Sequence, residues 1–154
     1  MDDAKLAKIV IEQVQEDGTV DVETPWAEHL GGNRYLLRNL PFYAYGVSFE
    51  DILRCEPKYE DDTRPYFVEV LEKSGNRTLR IILDESHKTS TRSQAILDQL
   101  QEMDCGWEGA TSTYIVINVQ PQCDFAVVCN YLSERKVRWE HVDPTYEELY
   151  GSDA

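Results

Sequence analysis

The sequence predicts an α+β fold in which antiparallel strands come first and helices enter late. Three observations carry that reading. β-branched and aromatic runs separated by Gly-containing turns fill the chain up to about residue 83. Helical spacing with a cap signal appears only beyond residue 90. Residues 114–119 form one apolar, largely β-branched run of the kind found in a central buried strand. Strands and helices segregated along a chain argue for α+β rather than α/β.

Residues 6–14 are rich in apolar side chains and lead into Glu16-Asp17-Gly18-Thr19 and a second β-branched stretch. Asp-Gly between two such stretches is a hairpin signal, because the centre of a two-residue turn needs positive φ. The reading is strand, turn, strand; Leu6, Ile9, Val10 and Val14 also fit the spacing of a helix, which is the alternative. Residues 26–30 and 34–40 flank Gly31-Gly32-Asn33 and predict a second hairpin, ended by Pro41. The aromatic stretch Phe42-Tyr43-Ala44-Tyr45-Gly46 is expected to pack over the end of a barrel. A turn at 47–51 then feeds a strand at 52–56, and 57–65 is a polar, acidic loop.

Strands are predicted next at 66–72 and 77–83, joined as a hairpin at Ser74-Gly75-Asn76. Thr91-Arg92-Ser93-Gln94 reads as a capping box, with Thr91 capping and Gln94 reaching back. The helix behind it places Ile96, Leu97, Leu100 and Met103 on one face. A second helix after Pro121 aligns Phe125, Val128, Cys129 and Leu132. Residues 137–142 predict an edge strand, and Asp143-Pro144 a last acidic turn, with Asp as cap and Pro at the first helical position. The N-terminal antiparallel strands are expected to form a small curled sheet or SH3-like barrel, followed by a β-β-α-β-α ferredoxin-like layer. The 154 residues are expected to form one compact domain, 1–154, with a β-rich subdomain at 5–65 and an α+β subdomain at 66–150 as its candidate divisions.

Charge narrows the function classes. Fifteen Lys and Arg stand against 29 Asp and Glu, for a net −14 at pH 7. Such a field repels phosphate backbones and excludes nucleic acid as the expected partner. The basic stretches 73–80 and 135–138 are too short to override it. A basic protein partner would instead be attracted and steered in, although acidity also serves solubility alone. The N-terminus, Met1-Asp2-Asp3-Ala4-Lys5, lacks a signal-peptide pattern, and no apolar stretch approaches a membrane span. A cytoplasmic protein with reduced thiols and no membrane partner is expected.

The search for chemistry nominates no catalytic residue. His29, His87 and His141 lack ligand spacing to one another or to a Cys, so neither metal nor cofactor is expected. The cysteines, at 55, 105, 123 and 129, form no C-x-x-C pair. On one helix Cys123 and Cys129 would stand about 240° apart and share no face. Cys55 continues a strand and reads as a buried inert thiol; it could act as a nucleophile only if the fold brought His29 or His87 to it. Hydrolase-elbow, P-loop and dinucleotide-binding patterns are absent.

Two surfaces are the better candidates. The stretch from Glu56 to Asp62 sets Tyr59 among Glu56, Glu60, Asp61 and Asp62, so that an aromatic anchor sits beside carboxylates that draw in Arg and Lys. Tyr146, Glu147 and Glu148, followed by Leu149 and Tyr150, carry the same chemistry. The plainer readings are a solvated loop and a terminal helix docked by Tyr146 and Leu149.

Spaced elements over most of the chain carry a family resemblance. Trp26-Ala27-Glu28 through Tyr35, Asn39-Leu40-Pro41-Phe42, Ala44-Tyr45-Gly46-Val47-Ser48, Asp51-Ile52-Leu53 and Ser74-Gly75-Asn76-Arg77-Thr78-Leu79-Arg80 together resemble the bacterial domain-of-unknown-function family DUF4265, over roughly residues 8–142. The resemblance implies a bacterial origin and a continuous α+β unit, and brings no activity with it. Gly46 has a structural reading as a tight turn, Asn39 and Asp51 as partners of local backbone groups, and Trp26, Phe42 and Tyr45 as core or rim packing. The expected function is an acidic binding protein, in its sharpest form an immunity or inhibitor protein that neutralises a basic bacterial toxin. The alternatives are an enzyme with a dispersed active site around Cys55 and a histidine, and a small-ligand-binding regulatory module.

Overall fold

The computed structural model describes residues 5–60 and 64–151. The chain divides into two compact units, Met1–Ser74 and Gly75–Ala154, each with its own apolar core.

The N-terminal unit is built from strands. In order these are β1 (Leu6–Lys8), β2 (Ile11–Val14), β3 (Val20–Glu23), β4 (Trp26–Gly31), β5 (Arg34–Leu37), β6 (Ile52–Pro57) and β7 (Pro65–Glu72). Strands β1-β4-β5-β6-β7 form a five-stranded antiparallel sheet, and β2 and β3 a separate two-stranded ribbon. Residues 6–14 are therefore extended and not helical. The chain between β1 and β2 joins the two edges of the large sheet. Val10 N–H donates to the Pro65 carbonyl (2.9 Å), and Phe67 N–H to that of Val10 (2.8 Å). The sheet thus curls on itself as a small barrel, which leaves fewer unpaired edges. Ile9, Ile11, Ala27, Leu37, Leu53 and Cys55 fill it, with Ala44 and Val47 from the β5–β6 connection.

The β2–β3 turn differs in type from the predicted one. Only Gly18 has positive φ (88°), Gly18 N–H reaches the Gln15 carbonyl and Gln15 N–H the Thr19 carbonyl. This is a three-residue loop with glycine at its left-handed position. Asp17 accepts from the Thr19 hydroxyl (2.6 Å) and amide (3.0 Å), and these bonds hold its carboxyl below the ordinary value.

The long connection from β5 to β6, which carries much of the family motif, has little regular structure of its own. Side chains satisfy its amides instead. Glu23, buried at the end of β3, accepts from the amides of Phe42 (2.8 Å), Tyr43 (2.9 Å) and Ala44 (2.9 Å). Asp51, 0% exposed, accepts from Ser48 N–H (2.8 Å), Ser74 N–H (2.8 Å) and Lys73 Nζ (2.8 Å). Asn39 accepts from Trp26 N–H (2.8 Å), and Gly46 turns the chain at φ 78°. Asn39, Gly46 and Asp51 are thus structural, as their residue types suggest. Of the core and rim readings Trp26 takes the rim: the residue is 43% exposed, and Lys8 Nζ lies 4.5 Å from the ring centre.

The C-terminal unit runs β8 (Arg77–Ile82), α1 (Thr91–Glu102), β9 (Cys105–Gly109), β10 (Tyr114–Val119), α2 (Phe125–Glu134), β11 (Arg138–Asp143) and α3 (Tyr146–Tyr150). Its sheet has the order β11-β8-β10-β9, all antiparallel. This is the β-α-β-β-α-β ferredoxin-like arrangement. Leu79, Ile81, Ile115, Ile117 and Val119 face one way, against Ile96, Leu97 and Leu100 of α1 and Val128 and Leu132 of α2. The expected β-β-α-β-α order placed β7 in this layer and missed β9, which pairs with β10. β7 does not form a hairpin with β8; it pairs with β6, while β8 pairs with β10 and β11. Ser74 N–H is held by Asp51 and its hydroxyl by the Phe49 carbonyl, so the Ser74-Gly75-Asn76 link does not close a turn.

The caps also shift. Ser90, not Thr91, caps α1 by accepting from Ser93 N–H, and Gln94 bonds Asp98 instead of reaching back. Asp124 caps α2, which begins at Phe125 and leaves Cys123 outside the helix. Thr145 caps α3 in a capping box with Glu148, in place of Asp143. At α1 and α3 a nearby side-chain oxygen takes the place of the expected cap; for α2 the sequence reading named none.

Asp51→Ala removes the carboxylate that accepts from the Ser48 and Ser74 amides and pairs with Lys73, which keeps the Gly46 carbonyl (3.0 Å). The expected loss is about 3 kcal/mol in urea unfolding of the full chain. An exposed acid such as Glu60 is expected to change stability by less than about 0.5 kcal/mol on the same substitution.

Candidate protein-binding surface

The first predicted surface lies at the end of β6. Glu56 is already paired with Arg54, which also binds Glu69. Tyr59 is exposed and packs edge-on against Tyr66, with ring centres 6.2 Å apart. Lys58, held by Glu12 at 2.7 Å, sits over both rings, 5.8 Å from Tyr59 and 5.1 Å from Tyr66. The chain's own cation thus occupies these aromatic faces. Glu60 is exposed. Asp61 and Asp62 lie outside the described residues.

The second predicted surface, in the C-terminal unit, has a defined architecture. Among the described residues β11 is an edge strand paired with β8, and α3 folds back onto it. Alternation along β11 puts Trp139 and His141 on one face, and Tyr146 and Tyr150 fall one helical turn apart on α3. The His141 ring gathers these together: its centre is 4.8 Å from Trp139 and 5.9 Å from each of Phe125, Tyr146 and Tyr150. Tyr146 and Tyr150 are themselves 4.8 Å apart and tilted by 47°. The Arg77 guanidinium lies 4.9 Å from the Phe125 ring.

The capping box fixes α3 in place. Thr145 accepts from Glu148 N–H (3.2 Å), and Glu148 Oε1 from Thr145 N–H (2.9 Å). Glu148 therefore has a structural duty. Glu147, in the same first turn, has no ion-pair partner among the described residues. Tyr146 is 61% and Tyr150 64% exposed, on the same short helix as that carboxylate. Their inner edges rest on His141, whose Nδ1 is buried without a hydrogen-bond partner and whose pKa burial pushes below the ordinary 6.5. Burial thus favours the neutral imidazole, which then brings no charge of its own beneath the tyrosines. Spacing to a metal ligand was the wrong test for His141; the period-two pair Trp139–His141 and the i, i+4 pair Tyr146–Tyr150 were the signals that pointed to it.

The other candidates have ordinary structural roles. Cys55 is 0% exposed and enclosed in the core of its unit, and burial pushes its thiol up to about 12, in keeping with a buried inert thiol. His29 bonds the Gly32 carbonyl at 2.7 Å and stacks on Tyr35. His87 meets Trp107 edge-on, with ring centres 5.2 Å apart. Cys129 packs against the core of its unit. Among the described residues no helix is long and apolar enough to cross a membrane.

The family described as Domain of unknown function (DUF4265) matches residues 23–142. No curated protein matches the chain. Among solved structures it is similar to a hypothetical protein from Neisseria gonorrhoeae, at 14% identity and a TM-score of 0.77, over 91% of this chain and 96% of that one. At that identity the likeness concerns the fold alone.

The depressed His141 pKa has a sign in stability. The unfolded chain takes up this proton near pH 6.5, the folded chain only at lower pH. Stability is therefore full above pH 6.5 and is lost as the pH falls through the folded-state value. His141→Phe keeps the ring contacts and removes the unpaired nitrogen. It is expected to gain about 1 kcal/mol at pH 7 and to widen its lead over the parent between pH 6.5 and 5 in urea unfolding. A constant difference across that range would contradict this account of His141.

Proposed function

We propose that this chain, which belongs to the family described as Domain of unknown function (DUF4265), is a binding module for an arginine- or lysine-rich segment of a protein partner. One observation carries the reading. Two exposed tyrosines stand over a histidine whose burial favours the neutral form, on the same short helix as Glu147, in a chain of net charge −14. An Arg or Lys side chain laid on Tyr146 and Tyr150 gains cation–π attraction from the rings, worth about 0.5–1 kcal/mol per exposed contact. Glu147 supplies the opposite charge at the rim. The net acidity of the whole chain raises the association rate with a basic partner and makes it fall with salt.

The proposal keeps the loop of Tyr59 and Glu60 as a second contact and ranks it lower, because Lys58 already lies over its rings and Arg54 already pairs with Glu56. The sharpest form of the proposal is an inhibitor or immunity protein that neutralises a basic bacterial toxin by covering its basic surface. Small size and strong acidity support that form. The burial of Cys55 counts against the rival enzyme built around that thiol.

A synthetic arginine-rich peptide, titrated into the purified full chain by fluorescence anisotropy, tests the reading. The variant Tyr146→Ala/Tyr150→Ala/Glu147→Lys is expected to bind at least about tenfold more weakly, from two lost cation–π contacts and one reversed charge. Glu60→Lys, which makes the same change in net charge as Glu147→Lys, is expected to alter affinity by less than about threefold. Equal losses in the two variants would reduce the interaction to general charge and remove the proposed surface.

A further inference from the structure

The fold brings two thiols together that the sequence keeps apart. Cys105 opens β9, and Cys123 lies just before the cap of α2. Their sulfurs are 3.9 Å apart. Both point at the same acceptor: Cys123 donates to the Met103 carbonyl at 2.8 Å, and Cys105 approaches it at 3.9 Å. The two sulfurs differ in access. Cys105 is buried in the core of the unit. Cys123 is half-buried and lines a shallow surface cavity of about 230 Å³ with Asp104, Gln122 and Val127. Cys55, by contrast, is fully enclosed in the core of the other unit.

We propose that Cys105 and Cys123 form a thiol-modification site that closes to a reversible disulfide on reaction with a low-molecular-weight disulfide such as glutathione disulfide. A disulfide bond is about 2.05 Å long, so closure asks for side-chain rotation and a small approach of two segments already in contact. The access difference sets the order of steps. The Cys123 thiol loses its proton to solvent, and its sulfur attacks one sulfur of the small disulfide, whose S–S bond breaks. The first small thiolate leaves and takes up a proton. Cys105 then loses its proton and attacks the Cys123 sulfur in the mixed disulfide, and the second small thiolate leaves and is protonated. The two protein thiols have given up two electrons and two protons, and one small disulfide has become two thiols. Burial and the neighbouring Cys123 push the Cys105 thiol up to about 12, which agrees with its acting second and only against a sulfur already in contact.

Closure would tie the start of β9 to the segment that leads into Phe125, one wall of the aromatic cluster. That consequence for binding rests on the function proposed above; the thiol chemistry does not. A thiol count needs no partner, so it stands or fails independently of the binding reading.

The full chain, reduced and then incubated with glutathione disulfide, is assayed for free thiols and mapped by peptide mass spectrometry. The expected result is a fall from four free thiols to two, a cross-linked Cys105–Cys123 peptide, and full recovery with dithiothreitol. Cys105→Ala, with a small apolar residue in the core position, is expected to stop at one glutathione adduct on Cys123. Cys123→Ser is expected to keep its remaining thiols free. Circular dichroism checks that both variants fold. A lasting glutathione adduct on Cys123 of the parent chain, a cross-link through Cys55 or Cys129, or four unreacted thiols in the folded chain when the unfolded chain reacts would each overturn the proposal.

Discussion

A buried amide must find an acceptor, and in the β5–β6 connection of this chain two carboxylates supply several of those that no strand provides. Glu23 takes three successive amides of the β5–β6 connection, and Asp51 takes those of Ser48 and Ser74. Without them a connection of this length would have to pack its backbone with many amides unpaired. The same device recurs at the helix ends, where Asp124 caps α2 and Glu148 closes the box on α3. Part of the chain's acidity is therefore structural. A further part is neutralised along the barrel surface, where Arg34 pairs with Glu72, Arg38 with Glu50, and Arg54 with Glu56 and Glu69. Net charge alone overstates how many carboxylates are available to a partner, and the placement of the remaining ones decides where a basic segment would settle.

That placement favours the C-terminal surface. The five residues of α3 are too few to hold a helix by themselves. The capping box and the packing of Tyr146 and Tyr150 on His141 hold them instead. His141 is costly in this position, since it buries a nitrogen without a partner. Its burial favours the uncharged form, and an uncharged ring brings no charge of its own beneath the two tyrosines. At the Tyr59 loop the same residue types reach a different state, because Lys58 has already taken the ring faces. Like compositions thus yield one open aromatic surface and one that is satisfied internally.

Much of the fold was legible in the sequence because its signals are local. The hairpin about Gly31-Gly32-Asn33, the strand at 52–57, the central strand Tyr114–Val119 and both long helices follow from turn residues and periodicity. The caps of α1 and α3 were displaced by one and two residues, since a second capping residue type stands close by at each of those ends. The pairing of β7 was misread because Ser74-Gly75-Asn76 has the composition of a turn, while strand partners are chosen by non-local packing that no turn signal encodes. The candidate site was legible in part. Tyr146, Glu147 and Glu148 stood out by type, but their support did not, because Phe125, Trp139 and His141 converge from separate elements. The contact between Cys105 and Cys123 was hidden for the same reason: they are eighteen residues apart, and the helix expected to carry Cys123 begins just after it.

The central claim is that the exposed Tyr146–Tyr150 pair with Glu147 is where a basic segment binds. The most direct measurement is a backbone-amide NMR titration of the full chain with the arginine-rich peptide, at low and at physiological salt. The account predicts shifts concentrated over residues 139–151 and in the first turn of α2, which shrink with salt and keep the same pattern. Shifts spread evenly over the acidic surface of both units, or centred on the Tyr59 loop with α3 unmoved, would contradict it.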